Sequence, residues 1–388
     1  MFLHAPSVYD FRKKPIFYGP VSDVIPSSPV FEMYPMGFMT ISTHLQMAGF
    51  KTRIVNIAGL MLADEKFDAE ERIRKLDADV YFIDLHWMPH AHGALELAKI
   101  VKRHHPNART EFGGFTSSYF YDELIRRPEV DLVMRGDTTE IPTVKMMEAL
   151  SKGEDLSSVP NLVWKDAGGK VHDNGLTYVQ EDLDNIVFDY GVMIKNVMRT
   201  MDVTGSLPWY GWDKVPLTSV FTVRGCTVNC AECGGSNSAN KRVCCRSHPA
   251  FRSPEKLAEI KGISARRARD ISETFRRQTG MRLLMEFLAA NGLKPEYAMR
   301  LYKLYGDGAL ELVKSNPYVI ASDRIGGQFD EADALALSLG FEEDSPPRIA
   351  AALIFEMVHN LNNGHSFLPR EKLVAATAQL IGVEAEAG

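Results

Sequence analysis

At 388 residues, with 45% hydrophobic and 24% charged residues and a net charge of −6, the chain has the make-up of a folded protein large enough for two or three cores. That balance excludes partner choice by a strong global charge, and no apolar run reaches the roughly 18–20 residues that a membrane helix needs. The N-terminal residues 1–6 lack the charged and apolar regions of a signal peptide, so a cytoplasmic address with no membrane partner is expected.

Residues 1–151 read as alternating strand and helix. Strands are predicted at 2–5, 51–57, 79–85, 108–112 and 130–134, and a proline-rich loop runs from the first of them through Pro35. Helices are predicted at 37–48, 68–76, 93–104, 119–126 and 139–151. This alternation predicts an α/β fold with a doubly wound parallel sheet of Rossmann type. Ligands of such sheets sit at the carboxyl ends of the strands, here Ser7, Asp84 to Trp87, Gly113 with Gly114, and Arg135 to Asp137. The loop after the third strand carries Asp84, His86, His90 and His92. Two readings of it stay open: a metal or cofactor ligand set, or a polar loop that caps and packs. Gly113 and Gly114 either admit the backbone to a large ligand or make a turn.

Residues 152–216 read as a connector. Within it, 159–164 and 170–172 form a hairpin around Ala167 to Gly169, and the aromatic run 208–212 is expected to pack between domains. A strand over 217–223 then leads into Gly225-Cys226, with Cys230, Cys233, Gly234 and Gly235 following. All five cysteines lie between 226 and 245, which excludes a distributed disulfide framework and points to metal or redox chemistry. Three thiolates on one loop can hold three irons of a 4Fe–4S cluster and leave the fourth open to an outside ligand. A zinc site remains as an alternative, though it would want a second Cys-x-x-Cys pair. So does a redox disulfide of the thioredoxin kind.

The Cys226-x-x-x-Cys230-x-x-Cys233-Gly234-Gly235 loop after a strand resembles the cluster loop of radical S-adenosylmethionine enzymes. The preceding domain resembles the cobalamin-binding domain of one large branch of them, through Pro35 to Leu45, Glu111 to Phe115 and Val130 to Asp137. The match covers about residues 1–255. It implies a 4Fe–4S cluster on Cys226, Cys230 and Cys233, whose open iron binds S-adenosylmethionine. Reductive carbon–sulfur cleavage would then give a 5′-deoxyadenosyl radical. It also implies that Gly234 and Gly235 give close approach to the methionine end, and that a corrin lies near His86, Trp87, Gly113 and Gly114. Two departures stand out. Glu232 occupies the position before the third cysteine where an aromatic residue is usual, and a carboxylate there disfavours cluster reduction unless it points to solvent. Asp84 and His86 resemble the start of another cobalamin-ligand motif, but Pro89 stands where its glycine belongs, so no cobalt ligand is assigned.

A radical enzyme's barrel needs about 200 residues of strand and helix after the cysteine loop. Here 217–255 supplies only its start, and 256–388 turns helical. Leu257 to Ile271 has the form of a helix-hairpin-helix, which presents main-chain N–H groups to a phosphate. Lys261, Gly262, Ser264, Arg266 and Arg267 are its candidate DNA contacts. Seven basic residues against two acidic ones between 261 and 282 fit that reading, while a solvated helix face is the alternative. Together with a second turn at Ile325 to Leu335, Leu301 to Asp307, Asn316 to Tyr318 and Gly364 to Arg370, the region resembles the helical part of RecD-like DNA helicases over about 254–383. No Gly-x-x-x-x-Gly-Lys-Ser/Thr loop occurs in the chain, which excludes helicase activity. The resemblances meet within Ser253 to Ala258, and that shared phrase reads as the junction of a chimera, whether recombined, misassembled or spliced by design. The expectation is therefore a radical S-adenosylmethionine protein that is catalytically incomplete, or else a DNA-binding module without its motor, or an inactive chimera.

Overall fold

The computed structural model describes residues 1–13, 32–217, 219–260 and 263–383. Most of the proline-rich loop, together with Lys261 and Gly262, lies outside the described residues. The chain divides into two compact units, Met1–Lys256 and Leu257–Gly388.

Unit 1 is built on a seven-stranded sheet. Its strands and helices run β1 (Phe2–His4), α1 (Met36–Met47), β2 (Ile54–Asn56), α2 (Ile57–Ala63), α3 (Ala69–Arg74), β3 (Val80–Asp84), α4 (Ala91–His104), β4 (Arg109–Gly113), α5 (Phe115–Tyr119), α6 (Tyr121–Ile125), β5 (Leu132–Met134), α7 (Glu140–Lys152), β6 (Leu162–Lys165) and β7 (Val171–Asp173). The order is β2-β1-β3-β4-β5-β6-β7, parallel through β5 and antiparallel for the last two. Strand residues alternate between two cores, as the period of two requires. Phe2, Ile54, Phe82, Leu132 and Met134 face α1 and α7. Leu3, Val55, Tyr81, Ile83, Phe112 and Val133 face α2, α3, α4 and α6. Helices on both faces make the sheet doubly wound. The order reverses between β1 and β3, so the switch point, where ligands of such sheets bind, lies at the carboxyl ends of those two strands.

Several local features depart from the pattern-based reading. No spacer separates β2 from α2: Asn56 ends the strand and caps the helix, its side chain accepting from the Gly59 amide at 2.7 Å. The helix expected at 119–126 is two short ones broken at Phe120. The hairpin of β6 and β7 continues the sheet. The aromatic run reaches the α1 side of the sheet, where Trp212 packs on that core and the Pro208 carbonyl accepts from Tyr34 N–H at 3.1 Å. α4 approaches the end of β1 so closely that a Cβ at Gly93 would lie 1.7 Å from the Pro6 carbonyl oxygen. Only glycine fits there.

After β7 come α8 (Gly191–Thr200), α9 (Val203–Ser206), β8 (Val223–Arg224), α10 (Asn237–Cys244) and β9 (Ala250–Phe251). The strand expected over 217–223 is thus corrected to the two residues of β8. The physical reason is the length of its partner: β9 offers only Phe251 opposite Val223 and Ala250 opposite Arg224. Leu183, Ile186 and Ala250 form a small separate core beneath this ladder, with Phe221 against it.

Unit 2 is helical throughout its described residues. α11 (Pro254–Ala258) crosses into it, followed by α12 (Ala265–Ala290), α13 (Glu296–Tyr305), α14 (Ala309–Ser315), α15 (Phe329–Ser338), α16 (Pro346–Asn362) and α17 (Arg370–Ile381). Leu284, Leu288, Leu301, Val313, Ile320, Ile325 and Leu335 are its core. A polar clamp closes it: Arg348 donates to both Asp333 oxygens at 2.8 and 2.9 Å, and Tyr318 O–H donates to the same carboxylate at 2.8 Å.

Candidate functional site

The carboxyl ends of β1, β3 and β4, the start of α7 and the entry to the cysteine loop line one cavity of about 380 Å³. Its walls include His4, Asp84, His86, Trp87, Gly113 and Gly114, and, from the other side, Phe221, Arg224, Gly225 and Asn240. Four of the sequence-predicted cofactor residues therefore share one cavity with the first residues of the cysteine segment.

The histidine loop divides its labour. His86 and Trp87 are exposed, and both line the cavity. Asp84 is buried and bonds His4 Nδ1 at 2.9 Å. His90 is buried against Glu32, and His92 Nδ1 accepts from the Tyr9 amide at 3.1 Å. Gly114 has φ +112°, and a Cβ there would lie 2.8 Å from the His86 main chain. This glycine lets the loops after β3 and β4 touch, and Thr116 Oγ1 seals the contact by donating to the His86 carbonyl at 2.9 Å.

The cysteine segment is fastened to the sheet at both ends. Before it, Arg224 donates to Glu140 at 2.7 and 3.1 Å, with the Arg224 side chain 11% and the Glu140 side chain 2% exposed. Thr40 Oγ1 adds a third bond to Glu140 at 2.7 Å. Burial opposes the Glu140 charge, but the guanidinium and the hydroxyl outweigh it and hold the carboxyl below its ordinary range. After the segment, Arg246 pairs with Asp137 and donates to the Gln180 carbonyl at 3.0 Å. Between these anchors the loop closes on itself. The Asn237 amide reaches the Val228 carbonyl at 2.9 Å, and the Ser238 amide reaches Asn229 Oδ1 at 2.8 Å.

All five cysteines are free thiols. Cys226 is half-buried, with the Val228 amide 3.3 Å from its sulfur, and Cys230 and Cys233 are exposed. Cys244 is buried, and that burial drives its thiol pKa upward, so it is a packing residue. Glu232 is exposed, the orientation in which it burdens a cluster least. Gly234 is open, with nothing near its Cβ position, and a Cβ at Gly235 would lie 3.9 Å from Cys233 Sγ. Asn240 ties this turn to the cavity wall by donating to the Gly235 carbonyl at 2.7 Å. Three free thiols on one anchored loop offer sulfur donors of the kind that iron–sulfur clusters take from proteins.

In unit 2, Ser264 caps α12 by accepting from the Arg267 amide at 3.3 Å, and Arg266 and Arg267 are exposed beside it. Arg269, Arg276, Arg277 and Arg282 are exposed on the same helix. The second turn is a helix-to-helix hairpin: Gly326 adopts φ +76°, and Gln328 and Glu331 form a reciprocal capping box at the start of α15.

With this geometry in view, the comparisons with known proteins are specific. The B12 binding domain family matches residues 23–144, and the HHH domain of ATP-dependent RecD2 DNA helicases matches 277–367. One stretch of the chain is thus similar to a B12-binding domain and a later one to a RecD2-type HHH domain. The B12-binding domain match covers four of the five parallel strands from β2 onward and the loops carrying His86 and Gly114. The HHH match contains the hairpin before α15 but begins after Arg266 and Arg267. An uncharacterized methyltransferase of Pyrococcus horikoshii is 31% identical over 194 residues, 49% of this chain and 38% of that protein. The chain thus spans well under half of that relative's length. Two structures of the radical S-adenosylmethionine methyltransferase TsrM from Kitasatospora setae have TM-scores of 0.44 at 14% identity, covering 76% and 77% of this chain and 50% of theirs. One holds tryptophan and the analogue aza-SAM, the other cobalamin and a 4Fe–4S cluster. A likeness at that level carries no reaction over to this chain.

Glu111 escaped the pattern-based reading, although it stands inside the phrase Glu111 to Phe115. It lines the cavity, is 4% exposed, and burial pushes its carboxyl up to about 8. Nothing in a single sequence marks a strand glutamate as buried and neutral. The folded chain holds this proton from the ordinary 4.5 up to about 8, so stability is full below that window and falls as pH rises through it. Glu111→Gln removes the fall. Urea denaturation at the two ends of the window is expected to show the variant gaining roughly a few kcal/mol on the parent chain at the alkaline end only. An equal difference at both ends would contradict a raised carboxyl.

Proposed function

We propose that unit 1 is the cobalamin-binding domain and the first part of the core of a radical S-adenosylmethionine protein of methyltransferase type. The observation that carries this reading is the pair of anchors, Arg224 with Glu140 and Arg246 with Asp137, that hold the cysteine loop against the cavity at the switch point. Cys226, Cys230 and Cys233 would hold the cluster, with Gly234 and Gly235 open for the methionine end of S-adenosylmethionine. His86, Trp87, Gly113 and Gly114 would form the surface under a corrin. Bound there, these groups supply reductive carbon–sulfur cleavage and methyl carriage, which amino-acid side chains lack. The chain's own work is to orient them and to exclude water: Arg224 and Asn240 fix the loop, and Phe2, Phe38 and Phe82 make the cavity floor apolar.

The described residues after the cysteine loop contribute one strand, β9, and then helices only. In radical enzymes the adenosine contacts come from later barrel strands. We therefore read this chain as cluster-bearing but catalytically incomplete, joined near Ser253 to Ala258 to a segment of helicase origin. Anaerobic reconstitution with iron and sulfide is expected to give a brown protein absorbing at about 400 nm, with the colour lost in Cys226→Ala. Reduction with S-adenosylmethionine is expected to yield little 5′-deoxyadenosine. A brown Cys226→Ala protein would sink the ligand assignment, and abundant 5′-deoxyadenosine would sink the incompleteness.

A second reading concerns unit 2, and its observation is the row of exposed arginines on α12 behind the Ser264 cap. These would neutralise phosphates of DNA together with Lys261 and Gly262, which lie outside the described residues. Retention on duplex DNA is expected to weaken steeply with salt. Arg266→Gln with Arg267→Gln should flatten the log–log salt slope by about 0.9 for each phosphate left without its arginine. Salt-independent retention, or an unchanged slope, would contradict it.

A further inference from the structure

At the wall of the cavity, three buried residues from distant parts of the chain bring ligand atoms to within 4.8 Å of one another: His4, Glu32 and His90. His4 is 1%, Glu32 0% and His90 3% exposed. Among the described residues, no other group of three or more histidine, cysteine or acidic side chains meets that criterion. His4 stands at the end of β1, Glu32 just before α1 and His90 just before α4, so the cluster sits at the switch point itself.

We infer that His4, Glu32 and His90 form a mononuclear site for a divalent transition metal of the zinc, cobalt(II) and iron(II) class. Two histidines and one carboxylate are the protein ligands that such ions take when they keep open positions. The His90 Nε2 to Glu32 Oε2 separation is 3.2 Å. Two donors each about 2.1 Å from one tetrahedral ion stand about 3.4 Å apart, so this pair is spaced to share one ion.

The outer contacts have the form metal ligands require. Asp84 Oδ1 takes the Nδ1 side of His4 at 2.9 Å, leaving Nε2 as a buried ring nitrogen with no hydrogen-bond partner among the described residues. A carboxylate behind a histidine fixes its tautomer and raises its basicity as a ligand. Glu32 is oriented in turn by Ser7, whose hydroxyl donates to Oε1 at 2.7 Å and whose amide stands 3.1 Å from both oxygens. The rings of His4 and His90 lie 5.4 Å apart, and both residues line the cavity, which supplies an entry path. The three ligands differ from the residues assigned to the corrin and to the cluster, although His4 and His90 line the same cavity as the corrin surface.

The test uses the full chain prepared without corrin, with Cys226, Cys230 and Cys233 replaced by serine so that thiols cannot bind the probe. After chelation, cobalt(II) is titrated by equilibrium dialysis and visible absorption. The expected result is one cobalt per chain with tetrahedral-type visible bands. His4→Gln and His90→Gln should each weaken binding at least tenfold, and Asp84→Asn about 10- to 100-fold. X-ray absorption on the loaded chain keeps the question open to refutation if a histidine variant fails to fold: two imidazoles and oxygen ligands are expected. Substoichiometric cobalt, binding that survives both histidine substitutions, or a spectrum without imidazole scattering would overturn the site.

Discussion

Arg224 and Glu140 meet with both charges largely out of water, and everything placed around the cavity follows from that meeting. Removing two such charges from water costs several kcal/mol per ion unless pairing and further hydrogen bonds offset it. Here the offset comes from two Arg224 bonds and one from Thr40 that converge on Glu140, at the first turn of α7 where the helix dipole also favours a carboxylate. The two-residue ladder of β8 and β9 is too short to position a loop by itself. The ion pair does so, and Arg246 with Asp137 repeats the device twenty-two residues later.

That constraint explains why the cofactor residues read from the sequence come together although they belong to separate stretches. His86, Trp87, Gly113 and Gly114 stand at strand ends because the sheet is doubly wound, and its switch point opens there. Gly225 and Asn240 reach the same cavity because the cysteine segment is tied down on both sides. The helical unit has its own logic, with Arg348, Asp333 and Tyr318 closing its core. The HHH match begins at residue 277, so Arg266, Arg267, Arg269 and Arg276 precede it.

Much of this was legible in the sequence because burial on both faces leaves a plain mark. Val80 to Asp84 and Leu132 to Met134 are short apolar runs bounded by turn residues, and the cysteine spacing needs no fold to be noticed. What stayed hidden depends on pairings across long separations. The α2 helix begins on the last residue of a strand because Asn56 serves both elements, and no breaker announces it. The run at 217–223 has strand propensity throughout, yet a two-residue partner limits the ladder. Glu111 looks like any polar strand residue until the fold buries it in the cavity wall. His4 and His90 look ordinary until β1 and β3 lie side by side and bring Glu32 to them.

The central claim is that one cavity of unit 1 serves both a corrin and the cluster loop. Electron paramagnetic resonance on the full chain, loaded anaerobically with cob(II)alamin and a reduced cluster, tests it most directly. The expected result is that each signal is broadened and relaxes faster when the other group is present, and that Glu140→Gln, which frees the loop, diminishes the effect. Two superimposable, unperturbed signals, or a chain that retains only one of the groups, would contradict it.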